Sequence, residues 1–591
     1  MTILNNSLSI DDGALGIAAA GQRPVAVVGC CSSGTVGAPT TIDTLDGLTD
    51  TFGFGPAVDD AAVILSKAGG AILFCRATTA TAGAIGGLCQ SGGGSSSAGT
   101  LTADGSNTAT AVPALTGTPD APYAVKIVVT TAGSNIAATP VVKISLDGGL
   151  TYLATGLVAV SASPQAIGST GLSLAWTDGT FVLSNFWSSV GANCPTSADA
   201  TGTSVPAFSG TPNDAYDLRV KTMAASSALT DNTAAVAVSI DGGNTYGDTV
   251  AIPSSGVYVI PNTGVTVTFG AGTHVVGDIF RVKTSSPTWD TSGLSSALNA
   301  LAPMAGAYEF VHIAGPIDVT SAATVKTWAV AREAAGEYVF AQCSARDNIT
   351  GESNTTRNAA ISGSTPGFAG YDGGRYLDVH ASYGYVESVT HAGSYPRRSL
   401  AALRSARLAK EPPHRHPGRV RSGRIEGLMP DPDGGSSLAH DVSTYTSLDT
   451  ARFSGAQRVM GQARGRYFFT SRTMALATSD FSEVQRIRVM CVAATAALAQ
   501  MSTYVADDID VKSDGTGQIT EAEGQRIDGE IKAVMKRAVV LTPNAYASAV
   551  NASVIRTNNL LSTGILQARI SVTPKGSINS VSTTISYTLG G

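Results

Sequence analysis

The chain has 591 residues and a formal net charge of −6. That is long enough for several domains at roughly 100–200 residues each, and too close to neutral for nucleic acid or an anionic membrane to be expected as the main partner. Charged residues make up 14% against a usual value of about 25%, so much of the surface is neutral and built of small residues, as suits β-rich modules and faces that pack on other chains.

Seven cysteines, scattered except for the adjacent Cys30 and Cys31, read as reduced thiols of a chain made in the cytoplasm. The opening "MTILNNSLSIDDGALG" has no cationic segment before Arg23 and no long apolar run, so no secretory leader is expected. No stretch reaches the roughly 20 apolar residues of a membrane span.

Residues 21–77 read as one α/β unit. "RPVAVVG" is a short β-branched run ending in glycine, which suits a buried strand. After the loop "CCSSGTVGAPTTIDT" and a short helical stretch comes "FGFGPAVDDAAVILSKAGGAILFCRA" (52–77). Pro56 fits the first helical position, where its missing N–H costs nothing, and Asp59 and Asp60 favour the positive helix end. Val58, Ala61, Ala62 and Leu65 share one helical face, Gly69 suits the end of the helix, and "AILFC" is the next strand.

From about residue 90 to 290 charge nearly vanishes and helical periodicity stops. "AVPALTGTPDAPYAVKI" (111–127) returns as "SVPAFSGTPNDAYDLRV" (204–220), "KISLDGGLTY" (143–152) as "VSIDGGNTY" (238–246), and "GLSLAWTDGTFVLSNFW" (171–187) as "GVTVTFGAGTHVVGDIF" (264–280). The spacing of about 93 residues is the size of one β-sandwich module, and alternating runs around Asp-Gly-Gly turns predict strands and hairpins. The reading is a tandem pair of β-sandwiches (about 105–198 and 199–290) inserted into a host. The host resumes near 291 with helix "SGLSSALNALA", strand "AYEFVHIAG", helix "SAATVKTWAVAREAA" and strand "EYVFAQCSA", followed by strand-rich "RYLDVHASYGYVESV". This continues the pattern broken at residue 77 and predicts one layered α/β or α+β domain. Long helices around 480–505 and 521–538 and strands in "ILQARISVT" and "SINSVSTTISYTL" close the chain.

Candidate chemistry is thin. A dinucleotide fingerprint needs three glycines in G-x-G-x-x-G after a strand; here Gly53 and Gly55 are followed by Pro56 and Val58, so a helix start in a packed domain fits better than a phosphate site. His414 and His416 in "EPPHRHPGR" have no Cys or acidic ligand near in sequence for zinc, and an interface or solvated loop is the expectation. The arginines from Arg397 to Arg424 lack interleaved aromatics, which favours internal ion pairs or a charged protein interface over phosphate. "DIDVKSDGTGQITEAE" (508–523) departs from a calcium loop at Lys512 and Ile519; a helix start with Thr520 as N-cap and Glu523 closing a capping box explains it better. No catalytic pair is found, so the chain is not expected to be an enzyme.

Three stretches carry a resemblance. "PVAVVGCCSSGTVGAPTTIDTLDGLTDTFGFGPAVDDAAVILSKAGGAILFCRA" resembles the N-terminal α/β part of contractile tail sheath proteins, the jackets of phage tails and of related injection systems. "YPRRSLAALRSARLAKEPPHRHPGRV" is similar to their mid-chain helix and proline loop, and "DGTGQITEAEGQRIDGEI…ARISVTPKGSINSVSTTISYTL" to their C-terminal domain and tail. The resemblance covers residues 21–77 and roughly 290–591; the repeats lie outside it, where sheath proteins carry outward-facing insertions.

It implies a division into an N-terminal arm (1–20), a sheath domain in two parts (21–90 and 291–480) around the insert (91–290), a C-terminal sheath domain (481–575) and a C-terminal arm (576–591). It further implies a homo-oligomer of stacked rings or a helix around an inner tail tube, meeting baseplate and terminator proteins. Such an assembly has no cofactor, no nucleic acid and no membrane span, and belongs to a virion tail or injector built in the bacterial cytoplasm. The terminal arms would add strands to neighbours' sheets, through Ile3, Leu4, Leu8 and Ile10 at one end and Ile578, Val581, Thr583, Ile585 and Tyr587 at the other. Arg526, Lys532, Lys536 and Arg537 on a helix that turns from acidic to basic are the expected tube contact. The alternatives are a surface adhesin or fibre built on the repeats, and a nucleotide-dependent enzyme.

Overall fold

The computed structural model describes residues 24–576 except 93–94, 154–157, 160–162, 192, 197–199, 230–232, 305, 430–446, 460–461, 463–464 and 542–544. The host is built on a six-stranded sheet in the order Thr40–Ile42, Ile72–Arg76, Val25–Gly29, Val311–Pro316, Ala341–Ser344, Leu377–His380. Thr40–Ile42 runs antiparallel to its neighbour and the other strands are mutually parallel. Val25–Gly29 is buried along its whole length, as an unbroken apolar run must be when helices cover both faces of a parallel sheet.

Alternate residues serve opposite cores. Ala26, Val28, Leu73 and Cys75 pack with the helices Thr291–Ala300 and Val319–Ala334. Val25, Val27, Ile72 and Phe74 pack with Pro56–Ala68 and Ala401–Lys410. Strand and helix approach closely at Gly29, where an added Cβ would lie 2.9 Å from the Cβ atoms of both Ala57 and Ala314.

The helix Pro56–Ala68 starts at the proline and ends at Gly69 in the left-handed region (φ 74°). Its burial is wider than the single face expected from spacing. Ala57, Asp59, Val63 and Ile64 are buried as well, and Leu65 only half. The reason is tertiary, since the helix is covered by the sheet on one side and by Ala401–Lys410 on the other. The strand Thr40–Ile42 was hidden in the sequence inside a loop rich in Gly, Pro and Thr.

The repeats interrupt the crossover between Ile72–Arg76 and Val311–Pro316. Chain entry and exit run side by side, with Thr81 bridging Thr288 and Ile85 bridging Thr284. Cys89–Ser91, of which 89 and 90 fall in the host on sequence and 91 in the insert, pair with Ile279–Lys283 of the second repeat.

The first repeat has a three-stranded sheet centred on Leu172–Trp176 and a five-stranded sheet containing Lys126–Thr131 and Val141–Ser145. Residues of both sheets share one core, with Leu172, Leu174 and Trp176 meeting Ile127, Val142, Ile144 and Trp187. The second repeat has the same three-plus-five arrangement around Leu218, Val220, Val236, Val265, Val267 and Phe280. Register breaks fall at matching places, between Val129 and Thr131 and between Thr222 and Ala224.

The Asp-Gly-Gly turns are matched atom for atom. Ser145 Oγ donates to Asp147 Oδ1 (2.7 Å) and the Thr151 N–H donates to the same oxygen (2.9 Å). Ser239, Asp241 and Thr245 repeat this at 2.7 and 3.0 Å. An aspartate that accepts from the far side of its own turn satisfies the orphan donors of a tight hairpin, and both copies also touch the host. Thr350 Oγ1 donates to Asp147 (3.4 Å), and the Tyr395 N–H to Asp241 (3.0 Å).

Candidate functional site

The glycine joint is filled by protein. The Ala57 N–H at the helix start donates to the Cys30 carbonyl (3.3 Å), Ser32 N–H to the Phe54 carbonyl (2.8 Å) and Phe54 N–H to Ser32 Oγ (3.0 Å). Gly53 has φ 67°, and a Cβ there would stand 2.2 Å from Ser32 Oγ. At Gly55 (φ 141°) a Cβ would meet Cys31 Cα, the Asn213 carbonyl and the Cys30 carbonyl at 3.0–3.2 Å. The donors a phosphate would use are thus spent on loop-to-loop contacts, and the glycines permit that approach.

The arginine run is invested in the fold. Arg404 and Asp378 are fully buried and paired at 2.7 Å, with Ser454 Oγ donating to the other carboxylate oxygen at 2.6 Å. Arg397 pairs with Asp347 (2.7 Å), and Arg407 donates to the carbonyls of Gly423 and Arg424. Arg398 reaches two carboxylates, Asp214 of the second repeat (2.8 Å) and Asp59 of the host helix (3.2 Å). One guanidinium cannot neutralise both, so burial and then the Asp59 charge outweigh Arg398 and lift the Asp214 carboxyl to about 7. Thr390 Oγ1 also donates to Asp59.

His414 stacks on Tyr546 with ring centroids 5.8 Å apart, and the ring of His416 accepts from the Gly418 N–H (2.9 Å). Burial first, then neighbouring cations, hold both imidazoles down at about 4. Among the described residues no three His, Cys, Asp or Glu side chains gather as a metal site. A cleft lined by Asp59, Asp60 and Arg398 and another lined by Cys89, Asp147 and Arg281 each have room of about 10 Å³, enough for about one water.

The C-terminal unit is the open one. The helix Glu521–Met535 starts at Thr520, whose Oγ1 accepts from the Glu523 N–H (3.3 Å). The expected capping box does not close. Glu523 turns to Arg526, and the Thr520 N–H donates to the Asp510 carbonyl (3.0 Å). Ile527, Ile531, Met535 and Val539 form its fully buried stripe, which carries the strand Ala547–Val554. Ala568–Pro574 pairs antiparallel with that strand, setting Val572 opposite Val550 and Ile570 opposite Ala552.

Val550 and Ala552 are buried, yet Ile570 and Val572, on the same face by register, are only half-covered. The sheet has two strands, so among the described residues the ladder groups on each outer edge have no strand partner. Sequence reasoning did not single out Ile570 and Val572; the alternation of "ARISV" was their signal.

The expected arm residues, Ile3, Leu4, Leu8 and Ile10 and Ile578, Val581, Thr583, Ile585 and Tyr587, lie outside the described residues. Of the expected tube contacts, Arg526 is committed to its own helix, bridging Glu523 (2.5 Å) and Glu530 (2.6 Å). Lys532 is half-buried, while Lys536 and Arg537, in the wide last turn, are exposed. Among the described residues these three form no ion pair. No described helix is long and apolar enough to cross a membrane.

No curated protein matches the sequence. Among solved structures, the chain is similar to a sheath tail protein of Desulfitobacterium hafniense (9% identity, TM-score 0.38, covering 97% of this chain and 100% of that one). A sheath tail protein of Listeria innocua gives 8%, 0.38, 95% and 97%. The helical sheath of the anti-feeding prophage in its contracted state gives 12%, 0.33, 51% and 77%. The model of the family described as DUF2586, N-terminal domain, matches residues 7–472, and this chain belongs to that family.

Proposed function

We propose that this chain is a structural subunit of a contractile tail sheath, which polymerises around an inner tube and contracts to drive the tube through a target envelope. The observation that carries this reading is the C-terminal two-stranded sheet, whose half-covered Ile570 and Val572 and outer edges without a strand partner among the described residues suit a neighbour's strand. Two strands alone are marginal in water, and an exposed edge is a liability unless another chain completes it. β-prone segments at both chain ends provide the strands that would do so, Ile3 to Ile10 and Ile578 to Tyr587. The resemblance of the host and C-terminal stretches to sheath proteins supports the same reading.

The host with its C-terminal unit is then the lattice-forming part. Each repeat is a β-sandwich, and the pair decorates the outer wall, where bulk does not obstruct the tube. The tube contact falls to Lys536 and Arg537, with Lys532 beside them. Contraction is rigid-body rotation and sliding of subunits. At about 25 cal/mol per Å², a few hundred Å² of additional burial per subunit releases several kcal/mol, and no catalytic residue or cofactor enters. Negative-stain electron microscopy of the purified full-length chain tests this: hollow cylinders are expected, whereas single fibres favour an adhesin and discrete particles at high concentration overturn the reading.

A further inference from the structure

The two repeats meet at a small cluster of their own, made of Cys89, Ala124 and Cys194. Cys89 lies on the strand by which the chain enters the repeats, and Cys194 on the segment between them. Backbone pairing brings them together. The Gly191 N–H donates to the Leu88 carbonyl (2.9 Å), Gln90 N–H donates to the Gly191 carbonyl (3.3 Å), and the Cys194 N–H folds back onto that same carbonyl (3.3 Å). Cys89 pairs with Gly191, three residues before Cys194, the two side chains pack in the same buried cluster with Ala124, and the Cys194 thiol donates to the Leu88 carbonyl (3.2 Å). Both residues are buried, at 3% and 0% exposure. A cluster of three small side chains buries little apolar area, so it holds the junction weakly compared with the repeat cores on either side.

We propose that Cys89 and Cys194 are an oxidation site, a preset thiol pair that closes to a disulfide and encloses the whole first repeat between its root and the second repeat. The oxidant class is a small-molecule disulfide. When the weakly held junction opens, one cysteine thiolate attacks the external disulfide, its S–S bond breaks, and one small thiol leaves. The second cysteine thiolate then attacks the mixed disulfide and releases the other small thiol. Two protein S–H bonds and one external S–S bond become one protein S–S bond and two external thiols. Burial holds the Cys89 thiol well above its ordinary range, so closure is slow near neutrality and accelerates with pH, because the thiolate is the nucleophile. A bond here constrains the unfolded chain over a long loop, where cross-links act most. The inference rests on the repeats alone, so its failure leaves the sheath reading untouched.

The test uses the full-length chain with all seven thiols reduced, incubated with oxidised glutathione, alkylated, digested and read by mass spectrometry. Expected are the loss of two thiols, a peptide pair joining Cys89 to Cys194, reversal by dithiothreitol, and a rate that rises between pH 7 and 9. Cys194→Ser should abolish the link and let a glutathione adduct accumulate on Cys89, since the resolving thiol is gone. A wild-type chain that keeps all its thiols while the urea-unfolded chain is oxidised overturns the proposal, as does a link formed by other cysteines.

Discussion

Replacing Arg398 by alanine removes the cation that pairs with both Asp214 on the second repeat and Asp59 on the host helix. The guanidinium lies 2.8 and 3.2 Å from the two carboxylates and donates to the Ala215 carbonyl at 2.9 Å. The two side chains are 3% and 9% exposed, so solvent cannot take over. At about pH 8 and above, where Asp214 has lost its proton, removing one partner of this buried pair costs about 3–5 kcal/mol, because the charge left behind is uncompensated. The loss falls on the docking of repeat to host, since its two acceptors belong to different units. At about 1.4 kcal/mol per decade, amide exchange over 204–220 and 388–400 should accelerate by roughly 10²–10⁴-fold, read by hydrogen-exchange mass spectrometry. The triple variant Arg398→Met, Asp214→Asn, Asp59→Asn, which deletes the charges together, should recover most of that protection. Exchange within about threefold of the parent in Arg398→Ala would refute the reasoning, for the pair would then contribute nothing to docking.

Asp214 also sets a pH dependence. Its folded value of about 7 stands above the ordinary 3.8, so the folded chain keeps a proton the unfolded chain has lost. Stability from this group is full below about 4 and falls by about 4 kcal/mol as pH rises to about 7; urea titrations of wild type against Asp214→Asn should differ by that slope. Gly29→Ala should cost about 1–3 kcal/mol by overpacking, because its Cβ would meet Ala57 and Ala314 at 2.9 Å, and the thermal midpoint reads this. Removing residues 577–591 should leave the melting transition of the monomer unchanged while sedimentation shows no tubes; normal tubes would end the arm proposal. Reversing Lys536 and Arg537 to glutamate should weaken binding to tube protein most strongly at low salt, as exposed charges are screened over about 8–10 Å.

The sequence by itself determined the features that local pattern controls. Pro56 and Gly69 bound their helix because one has a fixed φ and no N–H and the other accepts φ 74°. The run "VAVVG" became the buried central strand, and the repeat spacing placed the two Asp-Gly-Gly turns in equivalent hydrogen-bond networks. Long-range geometry was decided only by the tertiary structure. Thr40–Ile42 is a strand because Ile72–Arg76 offers it an edge, and Glu523 forgoes the capping box because Asp510 already accepts the N–H it would have taken. Cys89 lies beside Cys194 because residues 88–90 pair with Gly191 between the repeats, and Asp214 lies beside Asp59 and Arg398 because the second repeat is laid on the host. Charge and thiol chemistry depend on distance in space, which residue spacing along the chain does not encode. Period and turn chemistry depend on neighbours a few residues away, and those the sequence states directly.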